Sequence, residues 1–295
     1  APAIISIDQL GRENVLKQIK YPVPFTISQT HLYFSQPMPD IRYQQESFSD
    51  IFSLNLKTKK TNRLTYKKKY FQPSISDDGQ KLLCLKKNDL LGTDIILFEK
   101  ENANAFKICI STARCIKNPV WYKYSNKFSY ILEYSDIIEI REYNIETGQD
   151  ILVYQSKGFP IYSLSYINND YIINSNFNGI DGIYHLNRNS KKISLITHSF
   201  YGDYYPYYDS DANEIVFNRL SSKGLTIKKI NNIINKKKEF KYQKPFHIFD
   251  QASYQNTNSV IDTNYLIKKN HFSCKKNLLN FHSRYYMPIN QYHYL

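Results

Sequence analysis

Apolar residues in this chain come in short runs bounded by polar turn residues, not in long stripes. The segments PFTISQTHLYF (24–34), PSISDDGQKLLCL (73–85), PVWYKYSNKFSYI (119–131), SLSYINNDYII (163–173) and PYYDSDANEIVF (206–217) each read as a short run, a polar turn and an apolar strand. The runs are rich in Ile, Tyr, Phe, Leu and Val and too short for helices, so they predict β-strands. Asn, Asp and Gly tolerate the left-handed backbone of tight hairpins, which explains their place between the runs.

A second pattern recurs in step with the first. A polar residue closes the third strand of each unit at Asp8, Asn55, Glu99, Asn144, Asn187 and Asn231, with spacings of 47, 44, 45, 43 and 44 residues. The long first interval holds the extra residues of PMPDIRYQQESF (37–48). The inner strand of each unit is marked by Pro24, Pro73, Pro119, Ser163 and Pro206, with a worn copy near Asp250. A repeat of about 44 residues holding four short strands predicts a propeller blade.

The repeat starts in mid-unit. IISID (4–8) and NVLKQIKY (14–21) read as outer strands, and PFHIFD (245–250), SVID (259–262) and NYLIKK (264–269) as inner ones. The expectation is therefore an all-β, six-bladed propeller of four-stranded blades over 1–268. Its last blade is shared by about 1–21 and 245–268, which replaces two exposed sheet edges by a hydrogen-bonded ladder. A tail, 269–295, lies outside the repeat and either packs on the propeller side or leads to a further domain.

DIFSLNLKTKKTNRLTYKKKYFQPSISDDGQKLLCL (50–85) resembles the repeat of TolB-like propellers through Leu64, Thr65, Pro73, Ser74, Ser76, Asp78 and Gly79. Asp77 stands where that family usually has Pro. Residues 182–218 match more loosely, through Thr197, Pro206 and Asp211. NLLNFHSRYYMP (277–288) is similar to the junction between propeller and outer-membrane barrel in large Gram-negative envelope proteins, with Arg284 in place of the usual Trp. The resemblance implies a non-catalytic scaffold for protein–protein contacts in a bacterial cell envelope, periplasmic or associated with the outer membrane. The alternatives it leaves are a cytoplasmic location and the substrate-gating propeller of a prolyl oligopeptidase-like peptidase. Fold likeness alone does not decide between them.

Candidate chemistry changes this picture little. The chain has no G-x-S-x-G elbow and no HExxH, and SKG at 156–158 and 222–224 reads as a strand-end turn. The seven histidines are scattered, and half-exposed strand positions are expected for them rather than metal ligation. Asp77-Asp78-Gly79 and Asp209-Ser210-Asp211 lack the EF-hand ligand set and read as hairpin turns. Cys84, Cys109, Cys115 and Cys274 form no C-x-x-C, and free thiols are expected, with a Cys109–Cys115 bridge as the alternative. No cofactor, metal or catalytic residue is assigned.

Charge is more informative. The net charge is +13, and lysines concentrate in equivalent turns: Lys57, Lys59, Lys60 and Arg63; Arg188, Lys191 and Lys192; and Lys236, Lys237 and Lys238. Equivalent turns share one face of a propeller, so these residues are the candidate contacts for an acidic protein partner or an anionic membrane surface. Nucleic acid is disfavoured, because the Tyr residues lie within strands and do not form a platform with Arg.

Overall fold

The computed structural model of the chain describes residues 2–8, 11–39, 47–88, 92–99, 102–123, 126–231 and 237–242. They fall in the first of two units, Ala1–Phe246; the second, His247–Leu295, lies outside the described residues. So do the strands expected at 245–268 and the tail.

The chain opens with a hairpin, β1 (Ala3–Ile7) and β2 (Glu13–Gln18). Four antiparallel four-stranded blades follow. Blade one holds β3 (Phe25–Ile27), β4 (His31–Pro39), β5 (Ser47–Asn55) and β6 (Thr61–Arg63). Blade two holds β7 (Tyr70–Ile75), β8 (Lys81–Lys87), β9 (Thr93–Glu99) and β10 (Asn102–Thr112). Blade three holds β11 (Cys115–Trp121), β12 (Lys127–Tyr134), β13 (Ile137–Asn144) and β14 (Asp150–Lys157). Blade four holds β15 (Ile161–Ile167), β16 (Asp170–Ser175), β17 (Gly182–Leu186) and β18 (Ile193–Leu195). Blade five has three strands among the described residues, β19 (Asp203–Asp209), β20 (Glu214–Ser221) and β21 (Gly224–Asn231).

The fold is thus an all-β propeller of four-stranded blades, but among the described residues the blades number five, not the six expected. The opening hairpin pairs only with itself among the described residues. The residues described after β21, 237–242, lie along blade four. Lys238 exchanges two backbone hydrogen bonds with Leu195 on the outer strand of blade four, at 2.8 and 2.9 Å. Phe240 then stacks edge-on against Tyr184 at 4.9 Å, and Tyr242 packs on Phe159 and Phe177. These ring contacts, with Phe240 partly buried and Tyr242 exposed, hold the segment on blade four. Lys237 and Lys238 therefore lie on a strap along blade four, not in a turn of blade five.

The core lies between sheets. In β8, Leu82 and Cys84 face blade one, packing with Tyr33 and Ile51. Leu83 and Leu85 face blade three, packing with Ile116, Trp121 and Phe128. Successive side chains point to opposite faces, so a strand buried on both sides reads as a continuous apolar run. Ile4 and Ile19 pack with Leu32 and Phe34, which seats the opening hairpin on blade one.

The marker prolines explain themselves at the inner strands. Gln72–Pro73, Asn118–Pro119 and Tyr205–Pro206 are skipped in the pairing of β7, β11 and β19 with their neighbours. Gln72, Asn118 and Tyr205 have φ of 45°, 48° and 52°. Proline has no amide to lend to a ladder, so it sits where a bulge has already broken one. The bulges also tie blades together. Gln72 Oε1 accepts the Asn118 amide at 3.1 Å, and Asn118 Nδ2 donates to the Tyr162 carbonyl at 2.7 Å. Trp121 Nε1 donates to the Ser74 carbonyl at 2.9 Å.

The Leu64-Thr65 pair has a mechanism too. Thr65 Oγ1 accepts the Ile51 amide at 2.9 Å and donates to Asp50 at 3.1 Å. Thr197 Oγ1 accepts the Ile183 amide at 3.1 Å in blade four. Asp50 is fully buried, pairs with Arg63, and accepts the Lys67 amide at 3.1 Å and the Lys68 amide at 3.3 Å. Replacing Asp50 by Ala strands these donors, and the expected loss is about 3 kcal/mol of stability in urea unfolding. Thr65→Val, which removes one hydroxyl, is expected to cost about 1 kcal/mol.

Candidate functional site

Successive antiparallel strands alternate in direction. In every blade the turn after the third strand therefore lies at the same end as the turn after the inner strand. The three well-defined third-strand turns share one geometry. Asn55 Oδ1 accepts the amides of Lys57 and Thr58 at 3.0 and 2.9 Å, and the Asn55 carbonyl accepts Lys59 N–H at 2.9 Å. Asn144 does the same for Glu146, Thr147 and Gly148. Asn187 accepts the Ser190 amide at 2.8 Å, and its carbonyl accepts Lys191 N–H at 2.9 Å.

The fourth residue past each Asn sits in the left-handed region, where Gly is at home. It is Gly148 in blade three (φ 68°), but Lys59 in blade one and Lys191 in blade four, each at φ 59°. A side chain there costs about 1–2 kcal/mol. Both lysines are exposed, as are Lys57, Lys60 and Lys192. Nothing in the turn's own hydrogen bonding requires lysine at these positions.

The two arginines behave differently. Arg63 is drawn in by Asp50. Arg188 spans two blades, with Nη2 donating to Glu142 Oε2 at 2.6 Å and Nε to Oε1 at 2.5 Å. Glu142, only 4% exposed, also accepts from the Tyr171 hydroxyl at 2.7 Å and from the Tyr122 hydroxyl. Burial pushes the Glu142 carboxyl up, but Arg188 and the two hydroxyls outweigh it, and its pKa lies below the usual carboxylate value. Burial first, then the neighbouring carboxylate, raises the Tyr122 hydroxyl; Tyr171 is raised chiefly by burial.

Beside this cluster, His185 Nε2 lies 2.9 Å from Asp170 Oδ2 and 3.2 Å from Lys237 Nζ. Burial and Lys237 lower its pKa against the pull of Asp170, so the ring is neutral at pH 7 and its contact with Asp170 is a hydrogen bond. His185 is buried, not half-exposed as the sequence predicts. Lys237 arrives next to the blade-four turn by the strap, so it joins Lys191 and Lys192 for a reason the repeat does not contain. Lys238 is exposed on the same strap, and Lys236 lies outside the described residues.

Other candidates are accounted for locally. Asp78 Oδ1 accepts from Ser76 Oγ and the Gln80 amide, and Asp209 Oδ1 from the amides of Asp211 and Ala212, all within their own turns. Among the described residues no group of three or more His, Cys, Asp or Glu is placed to hold a metal ion. Cys84, Cys109 and Cys115 are free thiols, and Cys274 lies outside the described residues. A cleft of about 150 Å³ between blades one and two, lined by Tyr33, Ile75, Leu82 and Phe98, is smaller than the ~300 Å³ of ordinary ligand pockets. Among the described residues no helix is long and apolar enough to cross a membrane.

No protein-family model and no curated protein sequence matches the chain. Solved structures do. One is a protein from Agrobacterium tumefaciens described as a TolB, with a TM-score of 0.62 and 14% identity over 75% of this chain and 81% of that one. A second is TolB from Acinetobacter baumannii, at 0.50 and 12%, covering 62% of this chain and 47% of that one. A third comes from a study of two prolyl endopeptidases, at 0.55 and 13%, covering 82% of this chain but 38% of that one. The structural neighbours are thus TolB and related propeller proteins, and at these identities the likeness is one of fold.

Two outcomes follow from the turn and the buried pair. Lys59→Gly and Lys191→Gly are each expected to raise stability by about 0.5–1 kcal/mol in urea unfolding, since relief of the left-handed strain exceeds the added chain entropy. Glu142→Gln is expected to cost about 3 kcal/mol near pH 7, because it leaves Arg188 facing an uncharged partner. The folded-state pKa of Glu142 lies below the unfolded one. Its stabilisation is therefore full above the unfolded value and is lost as pH falls through the folded value. The gap between wild type and Glu142→Gln should accordingly narrow between about pH 5 and pH 2 in Tm measurements.

Proposed function

We propose that this chain is a non-catalytic propeller scaffold whose turn face docks an acidic protein surface in a bacterial envelope assembly. The observation that carries the reading is the pair Lys59 and Lys191. Each occupies a left-handed position, on equivalent turns of one face, where glycine would be the more stable choice. Strain retained at exposed, charged positions is how a fold keeps a contact residue at a cost in stability. Lys57, Lys60, Lys192, Lys237 and Lys238 add positive charge, while Arg63 and Arg188 hold the turns in place through buried carboxylates. The fold likeness to TolB supports an envelope role and a periplasmic or outer-membrane-associated location.

A second reading has its own support. The prolyl endopeptidase match covers most of this chain but well under half of the enzyme, as expected for a propeller that gates a separate hydrolase. In that case the docking partner is the hydrolase.

The test compares capture of partners from intact envelopes by the wild-type chain, by the Lys59→Gly/Lys191→Gly pair, and by a Lys59→Glu/Lys60→Glu/Lys191→Glu/Lys192→Glu variant. The expected result is a specific partner whose capture falls with rising salt, weakens about tenfold in the glycine pair and vanishes on charge reversal. Capture that is indifferent to both variants would overturn the reading. Co-purification of an α/β-hydrolase would select the second.

A further inference from the structure

Every blade has two ends. The turns that carry Lys59 and Lys191 lie at one. The segments that lead into the inner strands lie at the other, as do those joining second strands to third. Among the described residues, no exposed large apolar side chain falls in a turn of the lysine end. At the opposite end they recur: Tyr21 before β3, Tyr66 before β7, Ile180 between β16 and β17, and Phe200 and Tyr201 before β19. Phe200 is 82% and Tyr66 65% exposed. Both are held by local contacts. The Arg63 guanidinium lies over the Tyr66 ring at 4.6 Å, and the next two amides, of Lys67 and Lys68, donate to buried Asp50. Phe200 meets Tyr201 edge-on at 5.0 Å, and Ser199 Oγ accepts the Gly202 amide at 2.9 Å. Gly202, at φ 132°, leaves no room for a side chain beside the Tyr204 ring.

Basic residues share this end. Lys20, Lys67, Lys68 and Lys69 are exposed, and Lys67 and Lys69 sit at φ 53° and 60°, again in the region where glycine is at home. The described carboxylates here are largely taken up. Asp50, Asp94 and Asp203 are buried on donors of their own sheets. Glu133 pairs with Lys117, Asp136 faces Lys157 at 4.0 Å, and Asp181 is half-buried. Residues 40–46 and 89–91, which join second strands to third in blades one and two, lie outside the described residues. We propose that this end of the propeller rests on the surface of an anionic lipid bilayer, with Tyr66, Phe200 and Tyr201 entering the headgroup layer and Lys67, Lys68 and Lys69 meeting lipid phosphates. Three features select a bilayer. The rings come from the linkers into blades one, two and five, not from one groove, so they suit a planar partner. Tyrosine beside lysine is the composition of a membrane–water interface. Lysine, a hydrated point charge on a flexible stem, meets lipid phosphates without a fixed geometry. This contact is on the face opposite the lysine turns and does not depend on docking there.

The test is co-sedimentation of the full chain with vesicles of phosphatidylcholine, alone or with phosphatidylglycerol added. Binding is expected to be at least about tenfold tighter to the anionic vesicles and to weaken with salt. Lys67→Gln/Lys68→Gln/Lys69→Gln and Tyr66→Ala/Phe200→Ala/Tyr201→Ala, with folds checked by circular dichroism, are each expected to lose about tenfold or more. Lys57→Gln/Lys59→Gln/Lys60→Gln removes the same charge from the other end and should stay within about twofold, because salt screens over that distance. In Phe200→Trp the introduced indole should be quenched by brominated lipid, while Trp121, buried in blade three, should not be. No binding of the folded chain to anionic vesicles, equal loss from the two lysine triplets, or an unquenched indole at position 200 would each overturn the proposal. Binding to soluble heparin in preference to vesicles would overturn it in favour of a polymeric anion.

Discussion

Each of the middle sheets is apolar on both faces, and only a neighbouring sheet keeps either face from water. Leu82, Leu83, Cys84 and Leu85 show the constraint in four consecutive residues: two turn toward blade one and two toward blade three, and all are buried. Burial of each leucine is worth about 1.5–3 kcal/mol, so a blade removed from its stack would expose several such terms at once. The repeat is therefore cooperative with its neighbours in the way of stacked modules, where stability resides as much in interfaces as in units. The hydrogen bonds from Asn118 to Gln72 and Tyr162, and from Trp121 to Ser74, act on top of this by fixing how adjacent inner strands slide.

Polar groups caught between the sheets are organised to the same end. Glu142 reaches across from blade three and gathers Arg188 and Tyr171 of blade four with Tyr122 of its own blade. Asp50 satisfies Arg63, Thr65 and two amides within blade one. A buried carboxylate is tolerated only when its lone pairs are used, and in both places they are. The consequence at the surface is a division of labour among basic residues of the same turns. The arginines, with planar forks suited to carboxylates, are internal braces. The lysines, flexible and strongly hydrated, stay outside.

Blade five shows the opposite condition. Among the described residues its third strand is paired on one side only, and Lys238, Phe240 and Tyr242 lie against blade four. Among the described residues the chain thus adds a strap to blade four and no fourth strand to blade five.

Much of this was legible in the chain alone. The period of the polar anchors located Asn55, Asn144 and Asn187 at third-strand ends, because one Asn side chain both caps its turn and tolerates nothing apolar in its place. Proline marked the inner strands, though the bulges beneath it and the hydrogen bonds of Thr65 emerged only in the structure. What lay beyond reach was whatever depends on residues about 20–50 positions apart meeting in space. The Glu142 cluster draws on two blades, and His185 is buried beside a strap that breaks the repeat. Local chemistry decides turns, bulges and strand faces; only the packing of one sheet on the next decides which charges are buried and which reach the surface.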